Sequence, residues 1–281
     1  MPPLILLALL ASFLWSAPPA RADSHRPAEG RVGCPHCRND GSEISRWLER
    51  ADALYAEFKP REALREAQKV LEEDPDHHEA LSKSSRFSID IGDAIPESEP
   101  DWRDKRLRHY RIAEDYARRA VKANPSSTWG YFYVAASLGK IAMYSPVSTQ
   151  IELAREIQTS VEKAIQLDPK NGYAYHIYGV WHRRVAEIGQ MKRFFSSLVL
   201  GRSIPEGSME KSAEYLTRAV TLNPTVIWHR LELARTHLAL GNPELARSAL
   251  KAAQQLPIQF SDDAIHKQDA ERLLRQISSR P

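Results

Sequence analysis

One phrase, repeated four times, limits what this chain can fold into. It reads Val70-Leu71-Glu72-Glu73-Asp74-Pro75, then Ala120-Val121-Lys122-Ala123-Asn124-Pro125, Ala164-Ile165-Gln166-Leu167-Asp168-Pro169 and Ala219-Val220-Thr221-Leu222-Asn223-Pro224. Proline cannot continue a helix, so each copy ends one helix and opens the turn to the next. Upstream of each proline the same offsets carry small or apolar residues: Ala63 and Ala67, Ala113 and Ala117, Ile157 and Val161, Ser212 and Leu216. Ten residues after each proline stands another small residue, Ser85, Ala135, Gly179 or Ala234, and Ala51 takes that part ahead of the first proline. Small residues at matched offsets let two helices approach closely. Only 12 Gly occur in 281 residues, among abundant Ala, Leu, Glu and Arg, which excludes an all-β fold.

This pattern resembles the tetratricopeptide repeat, a helix pair of about 34 residues with a closing proline. The prolines stand 50, 44 and 55 residues apart, which leaves insertions of about 16, 10 and 21 residues beyond that unit. Each insertion belongs between the two helices of its unit, because the offsets on either side of it are intact. The last unit, Trp228 to Leu256, has none, and Asp262 to Ile277 supplies a polar-faced terminal helix, as a solenoid end requires. The expected fold is all-α: a right-handed tetratricopeptide-like solenoid of about five helix pairs over residues 44–278, with lengthened inter-helix insertions and a C-terminal capping helix.

A narrower resemblance lies in the order of five pieces: Gly179-Val180-Trp181, Ala186-Glu187-Ile188, Lys192-Arg193-Phe194-Phe195, Pro205-Glu206-Gly207-Ser208 and Ala213-Glu214-Tyr215-Leu216. Together they resemble the helical domain of the regulator of microtubule dynamics family, over roughly residues 44 to 278 and best from 104 to 275. The expected function is a noncatalytic scaffold or adaptor that binds a peptide or protein partner, with a lipid or apolar small-molecule carrier as the alternative. The resemblance also implies a setting of microtubules, mitochondria or organelle contacts for eukaryotic members, some of which handle lipid.

The N-terminus departs from that setting. Leu4 to Trp15 is an apolar run too short to span a bilayer, followed by Ala20-Arg21-Ala22, which fits a signal peptidase site. Residues 1–22 are expected to be a signal peptide cleaved after Ala22, giving a periplasmic or secreted protein; an uncleaved N-terminal membrane anchor is the alternative. Export makes tubulin a poor partner for this chain. Residues 23–43 read as a flexible linker holding Cys34-Pro35-His36-Cys37. With no strand downstream to support a thioredoxin-like site, Cys34 and Cys37 suit a local disulfide or half of a metal site shared with another chain.

For function, the first helices of the units should line the concave face. Positions one turn apart give Trp129, Phe132 and Lys140; Tyr173, His176, Arg183 and Arg184; and Trp228, Leu231 and Arg235. The expected groove is aromatic and basic, suited to a peptide with an acidic or free C-terminal end, or to an anionic lipid head group. The competing assignment makes Trp129 and Trp228 packing residues and the arginines a solvated rim. In the longest insertion Met191, Phe194, Phe195, Leu198 and Val199 fall on one helical face. That helix would pack on the solenoid, roof an apolar cavity over residues 190–208 for a lipid or small molecule, or make a peripheral membrane contact. No Gly-rich phosphate loop, catalytic triad motif or repeated Cys/His ligand set occurs, so neither enzyme activity, cofactor nor resident metal is expected. His77-His78 and the pair His176 and His182 read as surface or core histidines. A net charge of +3 is too small a bias for a nucleic-acid partner. The run Arg103, Lys105, Arg106, Arg108, Arg111, Arg118 and Arg119, interleaved with acids, reads as a solvated, ion-paired helix.

Overall fold

The computed structural model describes residues 40–188 and 205–279, which form eleven helices and no strand. In chain order they are α1 (Asp40–Ala56), α2 (Pro60–Glu73), α3 (His78–Asp93), α4 (Trp102–Ala123), α5 (Thr128–Met143), α6 (Val147–Leu167), α7 (Gly172–Glu187), α8 (Met209–Leu222), α9 (Ile227–Ala239), α10 (Pro243–Gln255) and α11 (Asp263–Ser278). Each helix packs on the next, and α3, α5, α7, α9 and α11 also touch in succession. That is an α-solenoid of five helix pairs with α11 as its cap, and the odd-numbered helices form its inner face.

The repeated phrase closes each pair by the expected physics. The Asp74, Asn124, Asp168 and Asn223 amides cap the preceding helix by donating to the carbonyls of Val70, Ala120, Ala164 and Ala219. In the first three copies the Asx side-chain oxygen accepts the amide two residues on, across the proline, from Asp76, Ser126 and Lys170. The small residues then meet as the pattern requires. Ala51, Ala63, Ala67, Ala113, Ala117, Ala135 and Ala234 are fully buried, and Ser85 Oγ donates to the Ala113 carbonyl at 2.7 Å, tying α3 to α4. A Cβ on Gly179 would lie 2.6 Å from Leu216 Cγ, so only glycine admits α8 at this distance.

The extra length of the second and third units lies largely in their second helices, and in the second unit also in the loop 94–101. α4 and α6 have 22 and 21 residues, whereas α2, α8 and α10 have 14, 14 and 13. Apart from Arg106, half of the basic run on α4 is ion-paired as expected, Lys105 with Glu99, Arg118 with Glu114 and Glu156, and Arg119 with Asp115. Arg106 departs from it. Its side chain is drawn inside, donates to the Ile95 carbonyl and to Tyr144, and stacks on Trp102. The guanidinium fork satisfies the Ile95 carbonyl at the start of the inserted loop.

One turn carries strain. Phe58 closes α1 with φ 59°, the left-handed conformation that Gly241 adopts at the equivalent turn of the fifth unit with φ 76°. Phe58 is half exposed, so its ring gives little burial in return. Phe58→Gly should raise stability by about 1 kcal/mol, read as a higher thermal midpoint; an unchanged or lower midpoint would show the turn to be relaxed.

Candidate functional site

On the inner face the predicted residues separate into two rows. The aromatic row is continuous across three units. Trp129 lies 5.5 Å from Phe132 and 6.2 Å from Tyr173 between ring centroids, Tyr173 lies 6.5 Å from Trp228, and Trp228 lies 4.5 Å from Phe260 of the segment leading into α11. Phe132 and Trp228 are fully buried, so they pack the core; Trp129 and Tyr173 are half-buried. Leu231 does not join the row. It points into a separate cluster with Ala246, Leu250, Ala270 and Ile277 that docks α10 and α11.

The polar row is not the basic floor expected from sequence. Lys140 pairs with Asp93 at 2.7 Å, Arg183 with Glu232 and Glu187, Arg184 with Glu187, and Arg235 with Glu232 and with Asp269 at 2.8 Å. Each predicted cation therefore carries a carboxylate, mostly from a neighbouring helix. A buried cation without one would lose its hydration uncompensated. Glu232 is the hub. Burial would raise its carboxyl, but Arg235 and Arg183, with His176 and Arg184, hold it down at about 2. His176 faces His229, Nδ1 to Nδ1 at 3.0 Å, so one ring donates and the other accepts. Burial keeps both neutral, with His176 pushed down to about 3 and His229 well below its ordinary value.

Several inner-face residues were missed. Aligning α3 with α5, α7 and α9 on Ser85, Ala135, Gly179 and Ala234 would have named Arg86 and Asp90, which stand one and five residues after Ser85, as Arg235 and Lys140 do in their own units. Nothing in the local pattern marks Asp262 and His266, which hydrogen-bond each other at 2.9 Å at the start of α11. Asp262 lies close enough to Asp90 and Asp93 to raise both, so the chain brings its cap back toward its second unit.

Asp90 gives a pH test with a definite sign. Burial, opposed by Arg86 and the Tyr55 hydrogen bond, raises its carboxyl from 3.8 to about 7. A raised folded-state value means that its stabilising contribution is complete below the unfolded value and is lost as pH rises through about 7. Asp90→Asn should therefore gain on the parent chain as pH rises from 5 to 8, by about 2.5 kcal/mol. Chemical denaturation at several pH values reads this, and a constant difference would refute it.

Other features fall elsewhere. His77 caps α3, accepting the Ala80 amide at Nδ1. His182 is buried in a stack with Tyr178 and Tyr215 on α7 and α8. Gly207 passes so close to α7 that a Cβ would lie 2.4 Å from the Ala186 amide nitrogen, and Ser208 then caps α8 through the Lys211 amide. Among the described residues no three His, Cys, Asp or Glu side chains gather as metal ligands, and no helix is long and apolar enough to cross a membrane. Met191, Phe194, Phe195 and Leu198, the Cys34–Cys37 pair and the apolar N-terminal run lie outside the described residues.

Five stacked helix pairs with matched small residues and a capped end define a tetratricopeptide-type helical-repeat protein, a fold of protein-interaction scaffolds. The crystal structure of a thermophilic TPR protein from Thermus thermophilus shares this fold with a TM-score of 0.59 at 17% identity, over 83% of this chain and 99% of that one. The Pseudomonas aeruginosa pilF structure does so with a TM-score of 0.50 at 13% identity, over 86% and 90%. The chain belongs to the regulator of microtubule dynamics family: the family model for regulator of microtubule dynamics protein 1-3 matches residues 47–278. Regulator of microtubule dynamics protein 1 of Bos taurus is 31% identical over 239 residues, which cover 85% of this chain and 73% of that protein. The Homo sapiens protein of the same name is 30% identical over 197 residues, 70% and 61% of the two chains.

Proposed function

We propose that this chain is a noncatalytic scaffold that holds an extended segment of a partner protein along its inner face, after export and cleavage behind Ala22. The observation that carries the reading is the half-buried pair Trp129 and Tyr173, from two successive units and 6.2 Å apart. Two aromatic rings at repeat spacing give a partner segment apolar contact at low entropic cost. The charge-balanced row beside them offers polar contacts without a net basic field, which favours a polypeptide over an anionic membrane surface. The names of the relatives point to microtubule polymer as their concern; an exported chain would carry the same scaffold to an extracytoplasmic partner.

A photo-crosslinking amino acid at Tyr173, with one at exposed Thr217 on α8 as the outer-face control, tests this in cells of the source organism. A discrete polypeptide adduct from Tyr173 and not from Thr217 is expected, on a chain whose N-terminus by mass spectrometry is Asp23. Adducts to lipid alone, or to polypeptide only from Thr217, would overturn the scaffold reading.

A further inference from the structure

The inner helices of the fourth and fifth units, α7 and α9, meet along a seam whose two ends differ in chemistry. Near the start of both helices His176 and His229 stack with ring centroids 4.7 Å apart and touch Nδ1 to Nδ1 at 3.0 Å. One of those nitrogens must donate and the other accept, so the contact exists only while at least one ring is neutral. Further along, Arg183 of α7 pairs with Glu232 of α9, and the Ser212 and Thr236 hydroxyls, 2.9 Å apart, hold α9 to α8. Neither of those contacts titrates in mild acid, because Glu232 is held at about 2 and the hydroxyls carry no charge.

The surroundings leave a proton on the pair without compensation. His229 is fully buried, and its Nε2 has no hydrogen-bond partner among the described residues. Arg230 on the same helix adds positive charge beside it. His176 is 2% exposed and faces Lys140 of α5, Arg183 of its own helix and His266 of α11, each of which opposes a further positive charge. Glu232 favours one, but Arg183 and Arg235 already share its carboxylate. The other acids nearby are likewise engaged, Asp93 by Lys140 and Asp262 by His266. Tyr173 closes the seam on the aromatic side, 5.5 Å from the His229 ring.

We propose that His176 and His229 form an acid-labile clasp: as they take up protons the starts of α7 and α9 part, while the Glu232 ion pairs and the Ser212–Thr236 contact hold the far ends as a pivot. Burial keeps His176 down at about 3 and His229 well below its ordinary value, whereas rings reached by water return to about 6.5. The parted arrangement therefore binds protons that the closed one refuses. Above about pH 6.5 both rings are neutral in either arrangement and the closed seam prevails; below it the parted seam gains about tenfold per ring for each pH unit. The clasp works whatever the inner face holds. Tyr173 sits on it, so the half-buried aromatic pair is rearranged in the same pH range.

Amide hydrogen exchange of the full chain without a partner, at pH 7 and pH 5 and corrected for the intrinsic pH dependence of exchange, tests the clasp. Protection over residues 174–181 and 229–233 should fall at least tenfold in acid, with no comparable loss in α1 to α4 or in α8. The double change His176→Phe and His229→Phe keeps two stacked rings that take no proton, and it should abolish the local fall. His229→Asn puts an amide where Nδ1 stood and leaves one titrating ring, so it should halve the fall on a logarithmic scale; this variant decides the matter if the double one does not fold. Equal protection at the two pH values, a loss spread evenly over the eleven helices, or an undiminished local fall in His229→Asn would overturn the clasp and leave the scaffold reading standing.

Discussion

Replacing Glu232 with Ala should cost about 3–5 kcal/mol, because it leaves Arg183 and Arg235 together in the interior with their shared carboxylate gone. Glu232 is 5% exposed, and its carboxyl is held down at about 2 by those two guanidinium groups, so no water replaces what it supplies. Arg235 retains Asp269, and Arg183 retains Glu187 at the more open end of α7. The residual pairing keeps the loss near that range. In a repeat unit of this size the thermal midpoint should fall by about 10 °C. The triple change Arg183→Met, Glu232→Leu and Arg235→Met should recover most of it, since an apolar set of similar volume carries no desolvation penalty. If Glu232→Ala melts within a degree or two of the parent, the pairs are surface-like in strength and the inner face is wetter than its burial indicates.

Trp228→Ala should cost a similar amount, about 3–5 kcal/mol, by deleting the largest fully buried side chain. Its effect should also be directional. Trp228 touches Tyr173 on α7, His229 on its own helix, and Phe260 and His266 at the cap. Amide hydrogen exchange should therefore accelerate first across residues 257–279 and in α9, with α1 to α4 little changed. The result also decides between the two roles that the sequence left open for this residue. A groove tryptophan that serves binding alone would be lost without a change in midpoint. Uniform exchange throughout the chain would show instead that the solenoid unfolds as one unit.

The fold was legible because its signals are local. A proline directly after an Asp or Asn at the end of an apolar phrase ends a helix wherever it stands. The Asx side chain before it closes the turn with its own neighbours, and small residues at fixed offsets announce a close helix pair that any backbone following the pattern will make. Even the placement of the insertions followed from intact offsets, although sequence did not show that α4 and α6 take them up as added turns. The aromatic half of the inner face was legible in the same way, since Trp129, Tyr173 and Trp228 recur at one position of successive first helices, with Phe132 one turn along from Trp129.

The electrostatic half was not. Arg183, Arg184, Arg235 and Lys140 looked like a basic floor because their register could be read while their counter-ions could not. Glu232 sits between Leu231 and Leu233 with no local mark of its role, and Asp93 lies beyond the register used to read the other units. Arg86 showed the opposite error: a cation in an acidic, serine-rich helix drew no notice, and only its burial makes it unusual.

By itself the sequence determined the repeat, the order of its helices and the face that turns inward, because helix ends and helix spacing are written within a few residues of where they act. Only the tertiary structure decided which of the inward residues are packing and which charges are cancelled. Burial and pairing depend on side chains from helices dozens of residues away, and a carboxylate four turns along a neighbouring unit leaves no trace beside the arginine it neutralises.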